Sequence, residues 1–230
     1  MRIAASVFIA TLLTSVLTSG AHAGNFQSPS LHCATPISSN PNAQPDILGT
    51  APMPIRAGRF ATDWARATTD ASGSPLMTRL VAPARSLCRE QQLAFVQSAV
   101  NRQIHWRSDT TQWGYHDYWA SAAETLANGV GDEEDVAIVK LQALRTLGFD
   151  PRNLFLTFGR DTVGGPLVVL VARLGTQYFI LDHNGGKPWN ANERRTEFEP
   201  SISFGPDHTW VHTRRAYAGG TSGAIFAARR

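Results

Sequence analysis

The stretch from Trp113 to Leu147 constrains this chain most. It begins Trp113-Gly114-Tyr115-His116-Asp117-Tyr118-Trp119-Ala120 and passes through Glu124 and Gly131 to four consecutive acids, Asp132-Glu133-Glu134-Asp135. Beyond the acids, Ala137, Ile138, Leu141, Leu144 and Leu147 recur with the period of one helical face, and Gly148 is a stop signal. A helix so placed points its N-terminal end, with Glu133, back towards the aromatic segment. Acids in a first turn need no special explanation, since each is favoured there by about 0.3–1 kcal/mol.

A second helix is expected within Leu87–Ile104, where Leu93, Val96, Val100 and Ile104 share a face. Strands follow. Leu154–Phe158 is one candidate, and Leu167–Arg173 joined through Leu174-Gly175-Thr176 to Gln177–Asp182 reads as a hairpin. Both hairpin arms are apolar on both faces, which places them inside a sheet. Ile202–Phe204 and Trp210–Thr213 are shorter candidates. Helices followed by a run of strands give an α+β domain.

The chain opens on Met1-Arg2, an apolar run Ile3–Leu17 and Ala21-His22-Ala23. That is the pattern of a secretory signal over residues 1–23, cut after Ala23. No other stretch is apolar for long enough to span a bilayer. The expected organisation is then an extended N-terminal arm (24–59) rich in Ser, Pro and Asn, a folded domain (60–217) and a flexible tail (218–230). In an exported chain the two cysteines, Cys33 and Cys88, are expected to pair, worth about 4 kcal/mol on loop entropy. A formal charge of +3, with scattered arginine pairs and no comb of aromatics between them, gives no support to nucleic-acid binding.

The run around the acids resembles the bacterial transglutaminase-like cysteine peptidases, the LapG-type periplasmic proteases. The residues that carry the resemblance are Trp113, Gly114, Asp117, Tyr118, Trp119, Ala120 and Glu124, then Gly131, Asp132, Glu134, Asp135, Ala137, Ile138, Lys140, Leu144, Arg145 and Gly148. It extends from about Leu80 to Trp210 and implies a papain-like, transglutaminase-like core with a helix packed on an antiparallel sheet. It also implies a periplasmic or secreted location. The departure is at the nucleophile, where Glu133 stands in place of the cysteine.

Such a peptidase needs a thiolate at a helix N-terminus, a histidine on the adjoining strand and an acid to orient it. By the resemblance the acid is Asp182, and counting back from Arg173 puts the histidine slot at Leu167, or at Pro166 if the register differs by one. Neither residue can carry a proton. The implied protein is a catalytically silent member that binds a protein or peptide segment in the envelope. The alternative is a hydrolase whose chemistry has moved onto carboxylates, Glu133 with Glu134 or Asp182.

Family members bind calcium through acids flanking the cysteine, so the resemblance makes Asp132 and Glu134 calcium ligands, with Glu133 as an added oxygen donor. Trp113, Tyr118 and Trp119 are expected either to line a peptide groove or to lid the core. His183, next to Asp182, is expected to point to the opposite strand face. His105 and His116 lack a second ligand pair at metal spacing and are expected to be loop residues.

Overall fold

The computed structural model describes residues 44–56, 58–193 and 197–213. The signal segment, Cys33 and the 218–230 tail lie outside the described residues. In chain order the elements are β1 (Ala51–Ile55), α1 (Ala61–Ala67), α2 (Pro75–Val81), α3 (Arg89–Gln103), β2 (His105–Trp106), α4 (Asp109–Gln112), α5 (Ala122–Asn128), β3 (Val130–Gly131) and α6 (Glu133–Thr146). Then come β4 (Leu154–Asp161), β5 (Pro166–Leu174), β6 (Gln177–Leu181), β7 (Trp189–Asn190), β8 (Phe198–Phe204) and β9 (Thr209–Thr213), with short 3₁₀ turns between. All six α-helices precede β4 to β9, and the α+β expectation holds.

Seven strands form one antiparallel sheet in the order β1-β9-β8-β4-β5-β6-β7. The β5–β6 hairpin lies inside it, as two apolar faces require. Alternation along β5 sends Val168, Leu170 and Ala172 to one core cluster, which also takes the helices, and Val169 and Val171 to the other. The sheet is therefore covered on both sides, by helices on one and by Ile47, Tyr178, Phe198 and Trp210 on the other.

Helix α6 is buried on every side from Asp135 to Leu144, where the sequence pattern showed one face. It packs on β4 and β5 in front, while α2, α3 and α5 cover its back. Two polar residues buried with it find partners. Gln142 donates to the Thr68 carbonyl at 2.8 Å, and Lys140 Nζ donates to the Asp182 carbonyl at 2.5 Å. Burial pulls the Lys140 amine down to about 7, against the pull of Asp182.

The described part of the N-terminal arm (44–56) is more structured than its composition suggests. Ala51–Ile55 is an edge strand paired with β9, and Ile47 is fully buried. Pro52 and Pro54 cannot donate to a ladder, which confines such a strand to an edge. Helix α5 carries a capping box: Glu124 accepts the Ser121 N–H at 2.8 Å, and Ser121 Oγ accepts the Glu124 N–H at 3.3 Å. It ends at Gly129 in the left-handed region (φ 67°), which glycine adopts without strain. Cys88 lies just before α3 and has no disulfide partner among the described residues, while Cys33, its expected partner, lies outside them.

Candidate functional site

The site is the N-terminal end of α6. Two short pairings bring its surroundings together. Strands β2 and β3 run parallel with Trp106 opposite Gly131, which sets the indole beside the start of α6. The segment before α5 is tied down at both ends: Asp109 Oδ2 accepts the Tyr118 N–H at 2.5 Å, and Asp135 Oδ1 accepts the Ala120 N–H at 2.7 Å. Gly131 is required by the close approach, since a Cβ there would lie 2.7 Å from the Asp135 Cβ.

Four acids gather under this arch. Asp109, Asp132 and Asp135 are buried, and Glu134 is partly so. One carboxylate oxygen each of Asp109, Asp132 and Glu134 lies within 4.8 Å of the others. Among the described residues, Asp109 Oδ1, Asp132 Oδ1 and Asp135 Oδ2 are buried without a hydrogen-bond partner. Burial first, and neighbouring negative charge second, raise both Asp132 and Glu134. Asp135 is pushed up to about 8 by burial and by Asp132, and burial also raises Asp109. Orphaned hard oxygen donors with no counter-charge are the donor set of a divalent cation such as calcium. Asp132 and Glu134 thus stand together as read from the sequence. Asp109 was missed, because only its place at the start of a four-residue helix marks it.

Glu133 is turned elsewhere and is not among the three acids whose oxygens converge. Its Oε1 accepts the Trp106 indole N–H at 3.1 Å and lies 3.7 Å from His183 Nε2. The imidazole is therefore on the site side, contrary to the alternation argument. Strand β6 ends at Leu181, so the two-residue period no longer applies at His183.

Asp182 does not orient a histidine. Its Oδ1 accepts the Gly185 N–H, and its Oδ2 accepts the Trp189 indole N–H at 3.2 Å. Its carbonyl takes Lys140 Nζ together with Gln97 Nε2 at 2.9 Å and Asn101 Nδ2 at 3.1 Å.

Leu167, the counted histidine slot, faces away from α6. It packs with Leu48 and Trp189 in the cluster on the far side of the sheet. Pro166 and Val168 flank it on β5, and Val168 belongs to the α6-side cluster. No residue of β5 from Pro166 to Leu174 can shuttle a proton.

Of the three groove aromatics, Trp119 is core. It is 2% exposed, stacked on Phe60 and Phe158, and its indole N–H is taken by Asp117 Oδ1 at 2.9 Å. Trp113 and Tyr118 are half-buried with ring centroids 4.8 Å apart, and Arg66 lies over the Tyr118 ring at 4.3 Å. Among the described residues the exposed Trp, Tyr and Phe side chains are Trp106 and Tyr115. Trp106 therefore stands beside Glu133, while Trp119 takes the core-lid place of the two expected for it.

A family model of the bacterial transglutaminase-like cysteine proteinases (BTLCP) matches residues 61–214. Among solved structures, Legionella pneumophila LapG is similar at 27% identity and TM-score 0.51, over 59% of this chain and 75% of that one. Its calcium-bound form is 25% identical at TM-score 0.52, over 66% and 81% of the two chains. Its EGTA-treated form is 26% identical at TM-score 0.53, over 61% and 76%. No curated protein matches the chain. Among the described residues no helix is long and apolar enough to cross a membrane.

Proposed function

The chain belongs to the bacterial transglutaminase-like cysteine proteinase family, and we propose that it is an exported, catalytically silent member that holds a protein segment without cutting it. The observation that carries the reading is the occupant of the nucleophile's place. Glu133 at the start of α6 is engaged by Trp106 and His183, and β5 offers no imidazole. A carboxylate is a poor substitute for a thiolate, and in a serine protease loss of the nucleophile alone costs roughly a millionfold in turnover.

The cation belongs to the same proposal. A similar protein has a calcium-bound form, and here Asp109, Asp132 and Glu134 converge, with Asp109 Oδ1 and Asp132 Oδ1 buried and unpartnered among the described residues. A calcium ion bound there would supply the missing counter-charge and tie α4 to α6, holding the aromatic segment between them. The exposed Tyr115, with Tyr118 and Trp113 packed behind it, and the exposed Trp106 beside Glu133 are the aromatic contacts offered to the segment. Replacing Tyr115 by a photo-crosslinking amino acid tests this: the purified protein should capture an intact polypeptide from a periplasmic extract. Recovery of shortened fragments that depend on Glu133 would overturn silence.

The second reading, a hydrolase on carboxylates, is favoured by one fact: Glu133 has an imidazole neighbour. Glu133→Gln separates the two, since only an enzyme loses turnover.

A further inference from the structure

We infer a second binding site, a cleft at the C-terminal end of α6 that takes a small amphipathic acid, a ring or short chain of apolar atoms carrying one carboxylate. Arg145 holds the carboxylate, and Trp64, Leu141 and Leu154 hold the apolar body. The site is separate from the one at the other end of the helix. Arg145 follows Glu133 by twelve residues, about 18 Å along α6, and nothing in the inference depends on silence at position 133.

The cleft is a cavity of about 340 Å³, room for about a dozen non-hydrogen atoms at roughly the share of liquid volume that a water molecule takes. Its walls come from α1 (Trp64, Ala65), α6 (Leu141, Arg145), the start of β4 (Leu154) and the β8–β9 turn (Pro206). The largest wall is fixed before any ligand arrives. The Trp64 indole N–H donates to the Gly205 carbonyl at 3.1 Å, and its ring lies against Phe204 with centroids 5.7 Å apart. A wall already in place costs no ordering on binding.

Arg145 is the one cation among the lining residues, and no acid lines the cavity. Its Nη1 donates to the Thr68 carbonyl at 3.1 Å. Among the described residues the guanidinium has no other hydrogen bond and no carboxylate within 4.0 Å. Asp70 feels its charge but is exposed and bonded to Ser72. The next cation along the chain, Arg152, is already taken by Asp150 at 2.6 Å. The Thr68 contact leaves the Nε–Nη2 edge, whose two parallel N–H groups match the two oxygens of a carboxylate. The helix dipole accounts for a cation in the last turn of α6, but not for the apolar walls gathered around it.

The test is isothermal titration of the purified protein with hydrocinnamate and with its uncharged amide, which has the same shape. Hydrocinnamate should bind with a dissociation constant below about 1 mM, and the amide at least about tenfold more weakly. Ala65→Trp grows an exposed wall residue of α1 into the cavity, and Arg145→Gln removes the charge; each should weaken hydrocinnamate at least about tenfold while the melting temperature holds. Equal binding of acid and amide overturns the role of Arg145, and binding unchanged in Ala65→Trp overturns the cleft as the site. No heat with about 10 mM hydrocinnamate overturns both. Should Arg145→Gln unfold, the comparison of acid with amide on the unaltered protein decides the role of the charge.

Discussion

Calcium should stabilise this protein at neutral pH, where the buried acids carry unfavourable charge. An unfolded aspartate releases its proton near pH 3.8, whereas Asp135 in the fold holds it to about 8. A folded pKa above the unfolded one gives stability that is full below pH 3.8 and is lost as pH rises through 8. At pH 7 this one group costs the metal-free fold roughly 4 kcal/mol. Asp132, Glu134 and Asp109 are raised in the same direction and add to the burden. A divalent cation among them removes that burden. With a dissociation constant of about 10 µM, 1 mM calcium stabilises by about 2.7 kcal/mol. For a domain of this size that is a rise of about 5–10 °C in melting temperature. The assay is thermal unfolding at pH 7.5 in 1 mM calcium against EGTA, repeated in Asp109→Asn, where the rise should fall by at least half. Apparent affinity should fall as the pH is lowered from 8 to 5, since protons compete for the same oxygens. A calcium-dependent rise below about 1 °C, or an unchanged rise in Asp109→Asn, refutes the reasoning.

Three other outcomes follow from single contacts. Burial depresses His212 to about 4, and its ring nitrogens engage Thr50 and Ser203 at 2.8 Å each; stability should be intact above pH 6.5 and fall as pH drops towards 4, by about 2 kcal/mol after allowing for partial exposure, in urea melts of wild type against His212→Gln. Lys140→Ala removes a buried stem and a donor to the Asp182 carbonyl and should cost about 3 kcal/mol by the same method; a loss under 1 kcal/mol would contradict its anchoring role. Trp119→Ala should cost about 3–5 kcal/mol, whereas Trp106→Ala should stay within about 0.5 kcal/mol and weaken segment binding instead; similar destabilisation by both would mean that the core and surface roles of the two indoles are misassigned.

The sequence displayed the central helix, the hairpin and the acids clearly, because each is a local pattern with its own period. Strand β1 was hidden because Ala51-Pro52-Met53-Pro54-Ile55 reads as an arm until β9 is there to pair with it. Helix α5 carried a legible sign in Ser121 and Glu124, a capping box three residues apart. The site was harder. Asp109 comes to Asp132 from over twenty positions away, and no local pattern announces a contact made by tertiary packing. Leu167 was placed by counting along the hairpin, with Pro166 as the alternative, and His183 by strand alternation; where each side chain points is decided by tertiary structure. Leu167 falls on the wrong face of β5, while His183 lies beyond the end of β6, where faces no longer alternate. Trp113, Tyr118 and Trp119 are chemically alike in sequence, and only Phe60, Phe158 and Phe204 around Trp119 separate core from surface.

Silence at position 133 is the central claim, and sequencing of newly formed protein N-termini tests it most directly. The purified protein, loaded with calcium, is incubated with a periplasmic extract beside its Glu133→Ala variant. The account predicts no new N-terminus that depends on the protein. Termini that appear with the wild type and vanish with Glu133→Ala would contradict it.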